Sequence, residues 1–396
     1  MTNGIKPRVC YFRDSFLNQF EAQYLEPLQD RFDMTAAYTR SHRYEVNGIQ
    51  MPLVELPCLD YLNGLIPRSL GGFQVPNIFK YLGYDTVVFG LEKFLPGFDL
   101  LHVQEESFYS TWQVARLKDR YGFKMVTVQT LVEPYWYMHR SVIADRAAFV
   151  REKTDMFIAR SYRGKLALES EGVAPGRIRV IGHGVDLERF QPGPKNEELL
   201  REWGIALDRF IILFVGRMVW PKGIFSLANA ARLLLREPEM RDLNPLFLMV
   251  GDGHERPNLE EHLKTLGIRD SFLFTGKQPY RLLADIHRLA DIFVLPSIST
   301  RRVFEQFGIV LIESMASGKP VIAGHSGAID EVVGDAGLLV PPNDSWRLYE
   351  ALLHLIRDDD LRKYLSECGI SRVQNNFTHS IITEKIASAY EEVLAT

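Results

Sequence analysis

Glu305 and Glu313 stand eight residues apart in the segment FEQFGIVLIESMASGKPV, with Phe307 and Gly308 turning the chain just after the first. A helix opening near Gly308 puts Glu313 in its second turn and leaves Glu305 in the loop before it. The N–H groups of such a first turn lack intrahelical acceptors and suit an anion such as phosphate. A carboxylate inside the otherwise apolar run IVLIESMA needs hydroxyl or N–H partners, and a ribose diol offers two hydroxyls. The plainer alternative for Glu313 is a buried acid paired to a neighbouring lysine or backbone group. For Glu305 it is a helix-start charge favoured by the dipole.

Arg217 and Lys222 lie in FVGRMVWPKG, just after an apolar run. Loop N–H groups, a helix N-terminus and two cations together form an anion site suited to a diphosphate. The alternative is a pair of solvated loop charges. Neither G-x-x-x-x-G-K-[ST] nor G-x-G-x-x-G occurs here, so P-loop and dinucleotide readings lack their defining glycines.

The elements that position these residues alternate. In the second half FIILFVG, LFLMVGDG, SFLFTG, DIFVLPS, PVIAG and GLLV are separated by helical patterns of 10–15 residues. Fully apolar strands alternating with helices predict βαβ units and a parallel sheet covered on both faces. The first half repeats this less regularly, with candidate strands at 9–12, 35–38, 100–103, 125–128, 156–159 and 178–181. A stretch at 56–98 rich in aromatics, Gly and Pro departs from that spacing and is a candidate acceptor surface. FQPGPKN at 190–196 predicts the domain break. The expected domains are 1–190, 191–376 and a closing helix at 377–396, in an α/β architecture of two doubly wound units.

Composition agrees with two globular domains: 396 residues, 46% apolar and 24% charged, with a formal net charge of -4. Mixed charges of that balance argue against a nucleic-acid partner. Cys10, Cys58 and Cys368 have neither disulfide nor zinc spacing and read as buried thiols in a reducing cytosol. The first residues are not built like a signal peptide, and no apolar run approaches the ~20 residues of a membrane span, so a cytoplasmic location is expected. The acidic run 358–360 reads as a turn and helix N-cap, not a metal motif, and no residue set has metal spacing.

The combination GR-x4-KG, VGDG, LPS, E-x-FG-x4-E-x-MA-x-GKPV, with IGHGVDLERF at 181–190 and GLLVPPND at 337–344, resembles the retaining glycosyltransferases of family 4. These are GT-B enzymes related to glycogen and sucrose-phosphate synthases. The resemblance is strong over 177–344 and weak over the first half. It implies two Rossmann-like domains facing a central cleft, an acceptor-binding first domain, a donor-binding second, and a last helix crossing back to the first. It places Arg217 and Lys222 on the donor pyrophosphate and Glu313 on the ribose hydroxyls. Glu305, with the backbone at Phe307 and Gly308, faces the transferred sugar, and Gly276, Lys277 and Gln278 wall the base pocket. Glu305, Arg217 and Lys222 are the implied catalytic set. The co-substrate is a nucleoside-diphosphate sugar, with UDP the default, and neither metal nor cofactor is required. The acceptor is a hydroxyl of a sugar, a lipid-linked molecule or a small molecule. A lipid-linked acceptor would bring peripheral contact with the inner membrane face.

Three departures stand out. The loop FRDSFLNQFEAQ at 12–23 has no glycine where the family has a Gly-rich loop, leaving Arg13, Asn18 or Gln19 to compensate with side chains. Gln129 stands where many members carry a histidine that contacts the donor sugar. The longer loop SISTRRVF at 297–304 brings Arg301 and Arg302, suited to an acidic or phosphorylated acceptor, or else solvated. His102 and His139 are candidates to assist an acceptor hydroxyl, against the plainer reading of histidines satisfied locally. Two further readings remain on the same fold: an epimerase or phosphorylase, and a catalytically weak binding or scaffold subunit.

Overall fold

Strands that are apolar on both sides must be covered on both faces, and the computed structural model does this twice. It describes residues 5–41, 44–59, 86–137, 141–300 and 303–396. The chain divides into two units, Met1–Gly184 with His379–Thr396, and Val185–Thr378.

The first unit holds a seven-stranded sheet of β1 (Arg8–Phe12), β2 (Asp33–Thr39), β3 (Leu53–Leu56), β4 (Leu100–Gln104), β5 (Lys124–Gln129), β6 (Met156–Ala159) and β7 (Ile178–Val180). Its order is β3-β2-β1-β4-β5-β6-β7, with every neighbour parallel. The strand period of two divides VCYF between two cores. Val9 and Tyr11 pack in one with Ile382, Ile386 and Tyr390 of the closing helix His379–Leu394. Cys10 and Phe12 pack in the other with Leu101, Val103 and Met125. Burying each such isoleucine contributes about 2 kcal/mol. Thr383 Oγ1 donates to Tyr24 O at 2.6 Å, and Arg31 pairs with Glu384 and Glu391, fastening the helix to this unit. All three cysteines are free, with Cys10 and Cys58 buried.

β3 went unseen in the sequence because LVEL is a short edge strand, half-exposed and without full alternation. The break also falls earlier than the Pro/Gly-rich linker suggests: Val185 and Phe190 are already in the core of the second unit. Residues 60–85, which include most of the aromatic stretch, lie outside the described residues.

The second unit holds a six-stranded sheet of β8 (Ile211–Val215), β9 (Leu246–Val250), β10 (Phe272–Gly276), β11 (Ile292–Leu295), β12 (Val321–Gly324) and β13 (Gly337–Val340). Its order is β10-β9-β8-β11-β12-β13, again parallel throughout. In both sheets the order reverses once, between β1 and β4 and between β8 and β11. Ligands of doubly wound sheets bind beyond the carboxyl ends of the strands at such a reversal. Asp358 caps the helix Asp359–Asn376 by accepting from Leu361 N at 2.8 Å, as the acidic run predicts. Among the described residues no helix is long and apolar enough to cross a membrane.

Candidate functional site

In the second unit the loops leaving β8 and β11 meet at the reversal. After β8 the chain passes Arg217 and a short 3-10 turn, Trp220–Lys222, before Gly223 opens the helix Ile224–Leu234. Gly223 has φ 69°, and a Cβ there would lie 1.8 Å from the carbonyl oxygen of Pro296 in the loop after β11. Only glycine permits this approach, and it sets Lys222 beside Glu305. Lys222 Nζ lies 2.5 Å from Glu305 Oε2, and Ser297 Oγ donates to the same oxygen at 2.9 Å. The Glu305 carbonyl accepts from Ala328 N at 3.0 Å, so backbone and side chain are both held. Gly223→Ala is expected to cost more than about 2 kcal/mol, from left-handed strain and the clash together. Chemical denaturation of the variant measures this, and an unchanged midpoint would show that the loops separate freely.

Arg217 is exposed, and its guanidinium has no hydrogen bond or ion pair among the described residues. Lys222 carries half of an ion pair. Gly308, with φ 82°, opens the helix Ile309–Ala316, and buried Phe307 packs edge-on against Phe377 at 5.7 Å. Phe307 thereby anchors the helix start through its ring and offers a ligand only its backbone.

Glu313 sits in the second turn of that helix, 2% exposed. Its Oε2 has no hydrogen bond among the described residues, and it faces His287 Nε2 at 3.6 Å. The partner is therefore a histidine from the helix Leu283–Leu289, not the lysine or backbone group that the sequence offered as alternatives. Gly276 closes the edge strand β10 with φ 70° and accepts from Gly251 N at 2.8 Å. Beyond it Lys277 is exposed and Gln278 Nε2 donates to Thr275 O at 2.8 Å.

In the first unit, the loops after β1, β4 and β5 each contain a non-glycine residue in left-handed conformation: Asp14 (φ 37°), Glu105 (φ 42°) and Tyr135 (φ 56°). Such backbone persists only where its surroundings over-determine it. Asp14 accepts from Ser110 Oγ at 2.8 Å and Gln104 Nε2 at 3.1 Å. Glu105 Oε1 accepts from Thr130 N and Oγ1, at 3.0 and 2.5 Å. Burial nonetheless pushes the Glu105 carboxyl above its ordinary range. Tyr135 N donates to Glu171 Oε1 at 2.5 Å.

Four buried polar atoms at the carboxyl ends of β1, β4, β5 and β6 have no hydrogen-bond partner among the described residues: Arg13 Nε, Glu105 Oε2, Gln129 Oε1 and Arg160 Nε. Arg13 is ion-paired to Glu21, which also accepts from Tyr11 OH at 2.9 Å. Arg160, 2% exposed, donates to Gly182 O at 3.0 Å and Tyr24 OH at 3.3 Å. Buried groups of this kind are rare without a function or a ligand to complete them.

The other candidates are placed differently. Asn18 caps the short helix Gln19–Ala22, its Oδ1 accepting from Glu21 N and its Nδ2 donating to Phe16 O, both at 2.9 Å. His102 lies within β4, fully buried, with Nδ1 on the Tyr390 hydroxyl. Burial, then the charges of Arg160 and Arg13, hold its imidazole well below the usual histidine range and hence neutral. Tyr137 is buried in an ion cluster, whereas Tyr135 and Trp136 remain exposed. Arg301, Arg302 and His139 lie outside the described residues. The sequence reading missed Ser297, Glu105, Arg160 and His287. Ser297 stood inside the quoted LPS motif and Glu105 directly after a predicted strand, so position alone could have found them.

Residues 195–372 match the Glycosyl transferases group 1 family. A D-inositol 3-phosphate glycosyltransferase of Corynebacterium urealyticum is 37% identical over 202 residues, covering 48% of this chain and 46% of that relative. The chain spans about half the length of such curated relatives. Among solved structures, Anabaena HepE in complex with UDP superposes with a TM-score of 0.75 at 19% identity, over 97% of this chain and 100% of that one. Sucrose-phosphate synthase from Thermosynechococcus elongatus gives 0.72 at 22% identity, over 98% and 100%. The fold is GT-B, as the motif resemblance implies.

Proposed function

From a chain whose residues 195–372 form a Glycosyl transferases group 1 domain within a GT-B fold, we propose a retaining glycosyltransferase of the family 4 type. It takes a nucleoside-diphosphate sugar, by default a UDP-sugar, and delivers the sugar to an acceptor hydroxyl without a metal. The observation that carries this reading is the Lys222–Glu305 pair beside the unpaired Arg217 at the strand-order reversal of the second sheet. UDP in the HepE structure supports the choice of donor.

Arg217 and Lys222 hold the diphosphate and oppose the charge that grows as the anomeric C–O bond breaks and its electron pair leaves with the phosphate. In front-face attack the acceptor oxygen bonds to the same face, and its proton passes to the departing phosphate oxygen. A double displacement would need a carboxylate free to attack the anomeric carbon. Glu305 is engaged by Lys222 and Ser297, which favours a role as ligand to the sugar hydroxyls. In the first unit, the unmatched atoms of Arg13, Glu105, Gln129 and Arg160 mix donors and acceptors, as a polyhydroxylated acceptor requires. The relatives' name makes a phosphorylated polyol one acceptor to include in a screen.

The test is release of nucleoside diphosphate from UDP-, GDP-, ADP- and TDP-sugars with a panel of sugar, polyol phosphate and lipid-linked acceptors, followed by anomeric analysis of the product. Glu305→Gln is expected to lower kcat by about 10²-fold or more while UDP affinity changes only a few-fold. Turnover with inversion would exclude the retaining reading. Nucleotide binding without turnover on any acceptor would favour a binding subunit.

A further inference from the structure

The Glu313 carboxyl raises a question that the proposed donor site leaves open: what keeps an acidic side chain in the second turn of an apolar helix correctly aimed. Leu311, Ile312, Ser314, Met315 and Ala316 around it are all buried, and its own exposure is 2%. An ionised carboxylate in such surroundings is costly unless it is hydrogen-bonded. Its Oε2 has no such bond among the described residues.

His287 faces it. The imidazole is fully buried, and both ring nitrogens lack hydrogen-bond partners among the described residues. Phe190 and Phe293 pack against the ring, with centroids 5.9 and 5.3 Å away, so its orientation is set by packing. That orientation turns Nε2 towards Glu313 Oε2 at 3.6 Å, just beyond hydrogen-bond length. Two unmatched buried groups of complementary chemistry meet here, and each carries a desolvation cost while it stays unmatched.

We propose that His287 is a positioning residue for Glu313: its Nε2–H holds the inner carboxylate oxygen, which leaves Oε1 aimed at the ribose diol of the donor. The inference rests on the reading of Glu313 as the ribose ligand. It adds that selectivity for a nucleotide with an intact diol depends on a second residue that touches no substrate. A ribose hydroxyl drawn onto Oε1 fixes the carboxylate and closes the 3.6 Å gap on the other side. Loss of the imidazole lets the carboxylate rotate, and the diol then loses an aimed acceptor.

The experiment compares UDP with 2′-deoxy-UDP by calorimetry on the full chain. Wild type is expected to bind UDP about tenfold or more tightly, the range of a hydrogen bond to a charged group. Glu313→Gln should reduce the ratio to about 1–2, and so should His287→Phe, which keeps an aromatic ring between Phe190 and Phe293. His287→Gln, whose amide nitrogen reaches the position of Nε2, should restore most of the preference. His287→Asn, too short to reach it, should not, and it serves if the phenylalanine variant folds poorly. In turnover, His287→Phe should raise the donor KM with little change in kcat, whereas a merely structural role would lower the melting temperature and leave the ratio intact.

If Glu313→Gln loses the preference while His287→Phe and His287→Asn keep it, the role of His287 is overturned and the ribose reading stands. A wild type that ignores the 2′-hydroxyl, or does not bind UDP, overturns both.

Discussion

Replacing Arg217 and Lys222 together by alanine is expected to abolish the thermal stabilisation that UDP gives the second unit, without added metal. Ligand at about 100 times its dissociation constant adds roughly 2.7 kcal/mol to the native state. That is a shift of several degrees on the transition that moves, to be followed separately because the two units need not melt together. The two cations differ in their starting points. Arg217 is exposed and unpaired, so its removal takes away attraction at little structural cost. Lys222 is paired with Glu305 across two loops, so its removal also leaves that carboxylate facing the diphosphate. The double variant therefore exchanges two attractive charges for one repulsive charge. A UDP shift that survives would move the diphosphate away from this loop and remove the main support for the donor site.

Arg151→Met is expected to destabilise the first unit by about 3–5 kcal/mol near pH 8. Arg151 Nη1 lies 2.6 Å from Glu106 Oε1 and 2.7 Å from Glu171 Oε2, and Tyr137 OH donates to Glu171 at 2.7 Å. Both acids are almost wholly buried, and one guanidinium serves two carboxyls. Burial pushes the Glu106 carboxyl up to about 8, against the pull of Arg151. Its folded value thus lies above its unfolded one. The stability it confers is complete below the unfolded value and is lost as pH rises through about 8. Wild type should accordingly lose stability from this group between about pH 5 and 8, and Glu106→Gln should flatten that slope. Arg151→Met should cost least at pH 5, where Glu106 is protonated, and most at pH 8. Denaturant midpoints across that range measure this, and a cost independent of pH would show that the cluster is held by packing. The cluster ties Tyr137, and with it the loop after β5, to the helices Ser141–Lys153 and Tyr162–Ser170.

The sequence by itself determined the fold class, because strands buried on both faces are written as continuous apolar runs and helices as separate periodic ones. It located twelve of the thirteen strands among the described residues, and it singled out Glu305, Glu313, Arg217 and Lys222 as candidates, since each sits at a fixed offset from a strand end or a Phe-Gly turn. It missed β3, whose mixed, half-exposed residues carry no clear period. It also set the domain break late, because Pro and Gly mark flexible chain, whereas the unit boundary is decided by which core Val185 and Phe190 enter. Only the tertiary structure decided the pairings. Lys222 and Glu305 are 83 residues apart in sequence, and they meet because Gly223 lets two loop backbones touch. His287 and Glu313 meet because two helices pack side by side, and no local pattern in either helix announces the other. Spacing along the chain records what one element needs. The partner of a buried charge depends on long-range packing, which appears only once the sheet has put its neighbours together.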